Sequence, residues 1–459
     1  MSRLLPLCAA CCVLCSVSAG QWLETTIQLP DSSYPVALCY NSQDNKIYCA
    51  NSYHNGVTVI DGSTNTIIAS IPSTSGAGPQ SLCYNPRENR VYCANFGWPY
   101  SYDSTITVID GATDTVLDKL VSGSSPIALC YNPTSNKIYS ANCYGNSVSI
   151  FDGTSNQRLA VVPAGAEPSL LCDDQLNDRV YCANYRSDSI MVIDGLSNDV
   201  LATIPTGSAP WGFCYDSRRG NIYCAVQWEG AVKVIEGASN RVIAVVRVER
   251  VPRALCYSTA GDKVYCANYG WWPPVGNSVS VIDARSFEVQ ALVRVGKSPC
   301  FLCYDAMRNK VYCANEDDSS VSVIDCNTDS VITTIRVGRS PSALVLNPTM
   351  NRLYVANWRS NTVSVLRDST RRSREGRSVP YASRHTSEQT ISRGIFYLSA
   401  SPCPRVPASL LDASGRRVMA LNPGPNDVRQ LSAGVYFVRE EPQASSHQPR
   451  AVSKVIIAR

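Results

Sequence analysis

Pro35-Val36-Ala37-Leu38-Cys39-Tyr40-Asn41 returns as Pro79-Gln80-Ser81-Leu82-Cys83-Tyr84-Asn85 and again as Pro126-Ile127-Ala128-Leu129-Cys130-Tyr131-Asn132. Altered copies start at Pro168, Pro210, Pro252, Pro299 and Pro341, so the eight starts are spaced by 44, 47, 42, 42, 42, 47 and 42 residues. A period in this range belongs to stacked or radial repeats, in which each unit buries its apolar face only against its neighbours. The repeat therefore constrains the architecture before any single residue is given a role.

Working outward from the opening run, each unit holds three more short apolar segments. Ile47-Tyr48-Cys49-Ala50-Asn51 typifies the second, Val279-Ser280-Val281-Ile282 the third, and Val331-Ile332-Thr333-Thr334-Ile335 the fourth. They are rich in β-branched and aromatic residues, and the third alternates with period two, which is strand and not helix patterning. Turn residues join them: Asn85-Pro86 and Asn132-Pro133 after the first segment, Asp61-Gly62, Asp110-Gly111, Asp152-Gly153 and Asp194-Gly195 after the third. Four antiparallel strands repeated around a ring predict an all-β protein, an eight-bladed β-propeller over residues 21–368, with seven blades as the runner-up. The last unit lacks a fourth strand, and Trp22-Leu23-Glu24-Thr25-Thr26-Ile27 reads as a fourth strand without a unit. The N-terminal strand is expected to close the ring and leave no open sheet edge between the first and last blades.

Tyr354-Val355-Ala356-Asn357 resembles the signature of the YVTN family of β-propeller repeats, and the other units look like the same motif with cysteine for valine. The resemblance covers residues 22–366 and implies an exported or surface-attached protein. Residues 1–20 fit a signal peptide, with Arg3, an apolar run from Leu4 to Ser16, and Val17-Ser18-Ala19 before the cleavage point. No segment of the mature chain is long and apolar enough to span a bilayer. Residues 369–390 form an arginine-rich linker. The six arginines between 367 and 384, against Asp368 and Glu375, equal the chain's whole formal charge of +4. Residues 391–459 carry Leu410-Leu411-Asp412, Gly415-Arg416-Arg417-Val418, Gly434-Val435-Tyr436-Phe437 and a terminal Lys454-to-Arg459 strand. They resemble the immunoglobulin-like C-terminal sorting domain of type IX secretion substrates, although Pro402-Cys403-Pro404 stands where Pro-Asn-Pro is usual. That resemblance implies the export machinery as a partner and a secreted or cell-surface location.

Seventeen of the 21 cysteines follow residue 20, and twelve form Cys39/Cys49, Cys83/Cys93, Cys172/Cys182, Cys214/Cys224, Cys256/Cys266 and Cys303/Cys313. If Asn41 faces Ile47 across the turn, the members of each pair oppose one another, close to disulfide geometry. Val345 and Val355 replace the pair in the last unit, so the same sites also suit apolar packing of free thiols. Both readings stay open here. A ten-residue separation without CxxC knuckles or histidines gives no zinc site, and no metal or cofactor is expected.

Only His54, His385 and His447 are present, and no Ser/His/Asp set stands out, so no catalytic residue is assigned. Asparagines that recur in nearly every unit read as strand-end groups. The informative departures are the two 47-residue units, which extend the loop between second and third strands with Phe96, Trp98, Tyr100 and Tyr102 in one and Tyr269, Trp271 and Trp272 in the other. Trp228 and Trp358 occupy the equivalent loop elsewhere. Exposed aromatics offer large contact area at low side-chain entropy cost, which suits a glycan, peptide or surface protein. The expected role is a non-enzymatic surface or extracellular binding or scaffold protein. A lyase or hydrolase using a central-channel site and a nucleic-acid-binding propeller are the alternatives. Nucleic acid is disfavoured because the excess basic charge sits in the linker.

Overall fold

The computed structural model describes residues 20–53, 56–72, 78–97, 103–271 and 273–368, and the backbone of short strands between 388 and 457. Residues 21–368 form eight four-stranded antiparallel sheets, an eight-bladed β-propeller. Blade 1 runs Pro35–Asn41, Lys46–Asn51, Gly56–Asp61 and Ile67–Pro72, and the blades that follow repeat this order from the channel outward. First strands touch first strands around the whole ring, Pro341–Asn347 against Pro35–Asn41 included. Second and third strands are buried on both faces, because each sheet is sandwiched between neighbouring blades. The outermost strands bury one residue in several and expose apolar side chains such as Ile68, Leu117 and Ile243. Among the described residues the one helical piece is a single 3₁₀ turn, Trp358–Ser360.

The ring closes as the sequence predicts. Gln21–Gln28 is the outer strand of blade 8, with Thr25 opposite Val365, Thr26 opposite Ser364 and Ile27 opposite Val363. A bulge at Glu24 aims its carboxylate at Arg352, which donates bonds of 2.7 and 2.6 Å, and at Arg367 at 3.1 Å.

The repeated polar residues are structural. Asn268 donates to the hydroxyls of Ser278 and Ser280 on the third strand at 3.0 and 2.9 Å, and Asn95, Asn142, Asn315 and Asn357 do the same in their blades. Asp61 receives the Ser63 hydroxyl, which does most to lower its pKa, and the N–H groups of Ser63 and Thr64, both at 2.8 Å, which hold the turn. Each second-strand tyrosine is fully buried, and most reach the next blade. Tyr48 donates to Asp114, Tyr265 to Asp329 and Tyr354 to Asn65, all at 2.6 Å, so these hydroxyls bolt consecutive blades together.

The cysteine register differs from the one the turn length suggests. Asn41 pairs with Lys46, not Ile47, because four residues, ending in left-handed Asn45, make the turn. Cys39 therefore opposes Tyr48, and Cys49 opposes Leu38. A one-residue slip sends the two sulfurs to opposite faces of the sheet. Cys39 packs with Cys93 of blade 2, while Cys49 joins Ile27 and Val363 of blade 8. The register repeats in the blades of Cys83/Cys93, Cys172/Cys182, Cys214/Cys224, Cys256/Cys266 and Cys303/Cys313, and all these thiols are free. Burial pushes the Cys39, Cys93 and Cys303 thiols up to about 12, and others higher. Since the thiolate is the reactive form, a brief iodoacetamide pulse on the folded protein should leave the cysteines of residues 21–368 unmodified. Mass mapping should find no Cys39–Cys49 cross-link, and recovery of one would overturn this register.

Residues 372–459 form a separate compact unit. There, Glu388–Ile391, Val452–Ile457, Gly434–Glu440, Ala408–Leu411 and Arg417–Leu421 lie side by side in one sheet, and Ile395–Leu398 pairs with Gly424–Asp427.

Candidate functional site

In all eight blades the residue after the opening proline is an extra residue in a bulge. Pro252 pairs with Asn268 and Ala254 with Ala267, leaving Arg253 between them, and the other seven first strands share this shift. A bulge re-aims a side chain, here toward the mouth of the central channel. The residue before each proline has positive φ, Gly78 in blade 2 and otherwise Tyr34, Ser125, Glu167, Ala209, Val251, Ser298 and Ser340. Left-handed geometry is costly for a β-branched side chain such as Val251, so this face carries backbone strain.

The bulge residues are Val36, Gln80, Ile127, Ser169, Trp211, Arg253, Cys300 and Ser342. Five of them, Val36, Trp211, Arg253, Cys300 and Ser342, border a cavity of about 520 Å³ at the channel mouth. Phe213, Phe301, Leu171, Leu255 and Trp358 are among the residues that complete its wall, and the lining is predominantly apolar. One charged pair interrupts it: Arg253 meets Glu316 at 3.4 Å and lies 4.4 Å above the Tyr269 ring. Cys300 donates to the Pro341 carbonyl at 3.1 Å, and burial raises its thiol to about 12, which keeps it protonated. The cavity thus offers an apolar seat, a cation and a carboxylate side by side.

The aromatic loops emerge on this same face, and many of them pack on one another. Phe96 is half-buried 5.7 Å from Tyr144, Trp358 sits 5.4 Å from Tyr34, and Tyr269 lies 5.9 Å from Trp271. Trp228 and Trp271 stay exposed and border a second, smaller cavity between blades 5 and 6. Trp98, Tyr100, Tyr102 and Trp272 lie outside the described residues. Of the acidic run in blade 7, Glu316 takes Arg253, Asp317 accepts from Ser298 Oγ at 2.5 Å and Asp318 from the Lys297 N–H at 2.7 Å. No group of His, Cys, Asp and Glu suited to a metal ion occurs among the described residues.

Sequence reading found the loop aromatics but missed Trp211, Phe213, Arg253 and Phe301. The available signal was variation inside a fixed frame. The position after the proline changes from blade to blade, and a residue that differs between repeats is free of the repeat's structural duty.

No family model matches the chain, and no curated protein matches it. Solved structures do. A hydrazine synthase chain from Kuenenia stuttgartiensis aligns at 20% identity and TM-score 0.53, covering 64% of this chain and 96% of that one. Sqt1 from Saccharomyces cerevisiae aligns at 10% identity and TM-score 0.63, covering 76% of this chain and 98% of its own. Likeness at these identities is likeness of fold alone.

Proposed function

We propose that this chain is an exported, non-catalytic binding protein whose propeller captures an extended peptide segment of a partner protein at the channel mouth. The observation that carries this reading is the apolar cavity walled by Trp211, Phe213, Phe301 and Trp358 with the Arg253–Glu316 pair at its side. A bulky apolar side chain fills such a seat, while an adjacent cation and carboxylate suit the carbonyl and N–H groups of a peptide backbone. A neutral glycan would want more hydrogen-bonding groups than this wall presents. At the channel mouth Arg253 is paired with Glu316, so the seat itself presents no unpaired cation to a phosphate backbone. In this reading residues 1–20 direct export, and residues 391–459 serve the secretion machinery.

The test is selection of a displayed random peptide library on the purified protein, with a glycan array run in parallel. Enriched peptides should carry a large apolar residue. Trp211→Ala and Trp358→Ala should each weaken their binding at least tenfold, as central aromatic anchors do, with unchanged circular dichroism. A library that yields nothing, or peptides that bind both variants as well as the wild type, would end the proposal.

A further inference from the structure

The second cavity, about 290 Å³ between blades 5 and 6, is bordered by Trp228, Glu229, Arg247, Arg250, Val251 and Trp271. Its two indoles are 53% and 55% exposed. Arg247 is anchored by donating to the Glu229 carbonyl at 2.8 Å, which holds its guanidinium at the rim. Of the nearby carboxylates, Glu229 lies 3.8 Å from Lys233, while Glu249 accepts the Ser278 hydroxyl and keeps its charge, one carboxylate against Arg247 and Arg250. Arg250 is exposed and makes no ion pair among the described residues. The uncompensated charge at this groove is therefore positive.

The groove is continuous with the channel mouth through side chains that touch in series. Trp271 lies 5.9 Å from Tyr269, and the Tyr269 ring lies under Arg253, which borders the larger cavity. A chain seated with an apolar side chain in the mouth would run outward over Tyr269 and reach Trp228, Trp271, Arg247 and Arg250.

We propose that this groove is a subsite for an acidic residue of the same extended peptide, its hydrocarbon stem between the indoles and its carboxylate on the arginines. The proposal rests on the peptide reading of the channel mouth and adds a requirement to it. Arginine recognises a carboxylate through paired N–H donors, and the indole faces cover the apolar stem. An acidic sugar could meet the same four side chains, but the apolar seat next door favours the peptide.

The experiment uses two pools of short synthetic peptides with the same apolar residues, one flanked by Glu and Asp, the other by Gln and Asn. The wild-type protein should prefer the acidic pool about fivefold, the worth of a well-placed surface pair. The preference should fade at high salt as the charges are screened. Arg250→Glu, which breaks no ion pair among the described residues, should abolish the preference for the acidic pool or turn it toward the neutral one. Equal capture of both pools by the wild type would refute the acidic subsite and leave the channel-mouth reading standing. Capture of an oligouronate with neither peptide pool retained would overturn both.

Discussion

Removal of residues 1–29 is expected to unfold the propeller, not to trim it. The strand Gln21–Gln28 supplies the whole outer edge of blade 8, and Leu29 continues it with an N–H bond to the Asn361 carbonyl at 3.0 Å. Ile27 and Leu29 are buried against Ile47, Ile60 and Tyr354, so they belong to the core that blade 8 shares with blade 1. Burying two such side chains stabilises by about 4 kcal/mol. Glu24 adds to this. Its carboxylate is the acidic partner of Arg352, whose side chain is only 7% exposed and also donates to the Gly62 and Ser63 carbonyls of blade 1. Stranding that guanidinium costs about 3 kcal/mol. A loss near 7 kcal/mol is comparable with the whole margin of a typical domain, about 5–15 kcal/mol, and it bares the edge of Thr362–Asp368 to pairing with other chains.

The truncated chain should therefore elute as aggregate and show no cooperative melt, and a synthetic peptide of residues 21–29 should restore both properties in part. A truncated protein that melts within a few degrees of the full chain would refute the role of this strand. Glu24→Gln gives the milder form of the experiment. The Arg352 hydrogen bonds hold the Glu24 carboxyl below its ordinary range, so the stability it contributes is present above the unfolded-state value and is lost as the pH falls. The variant should be weaker than wild type at neutral pH, and the two should converge in acid.

The same strand shows what the sequence makes legible. Apolar runs at a fixed period, a last unit missing one strand and a spare strand at the start are global features, and they led directly to a closed eight-bladed ring. Register is a local matter of one residue. Whether the chain turns in the four residues Ser42 to Asn45 or in five, with Lys46, depends on the left-handed conformation of Asn45, which composition does not reveal. On that one residue hung the choice between facing and opposed cysteines. The site was half legible for a related reason. Trp271 advertises itself in a long loop and Trp228 in the short loop equivalent to it, whereas Trp211 and Arg253 lie inside strands that read as repeat scaffold. Only the bulge, a break in pairing that no apolar pattern encodes, turns them toward the channel. The bolts formed by Tyr48, Tyr265 and Tyr354 were hidden because their partners stand 66, 64 and 289 residues away in the chain.

Asp173→Asn should raise stability steeply at pH 8 and hardly at all at pH 4. Asp173 stands where other first strands have Tyr40, Tyr84, Tyr131, Tyr215, Tyr257 and Tyr304, and most of these hydroxyls reach the turn residue five positions on, as Tyr131 reaches Asn136 at 3.1 Å. In blade 4 the strand residue and the turn residue are both acidic, Asp173 and Asp178, so the repeat's bond cannot form between two carboxylates. Both Asp173 oxygens are buried and lack a hydrogen bond of good geometry, the Gln175 side chain being the neighbour that eases the charge. Burial, with Asp178 and Asp174 adding like charge, pushes its pKa up to about 7. Cys83, Cys130, Cys172, Tyr131, Tyr139 and Tyr215 also feel its charge, and none brings a positive charge. The unfolded chain releases this proton near pH 4 and the folded chain near pH 7. The folded state therefore loses stability through that window, and the penalty levels off above it. Three decades of proton affinity correspond to about 4 kcal/mol. The amide removes the titration, so denaturant melts of variant and wild type should diverge by about that amount between pH 4 and pH 8, with every other group cancelling in the difference. Parallel pH profiles for the two proteins would show that Asp173 is solvated or paired after all. An acid in this corner would then be an ordinary residue of the repeat, with no conflict between blade 4 and the pattern of its neighbours.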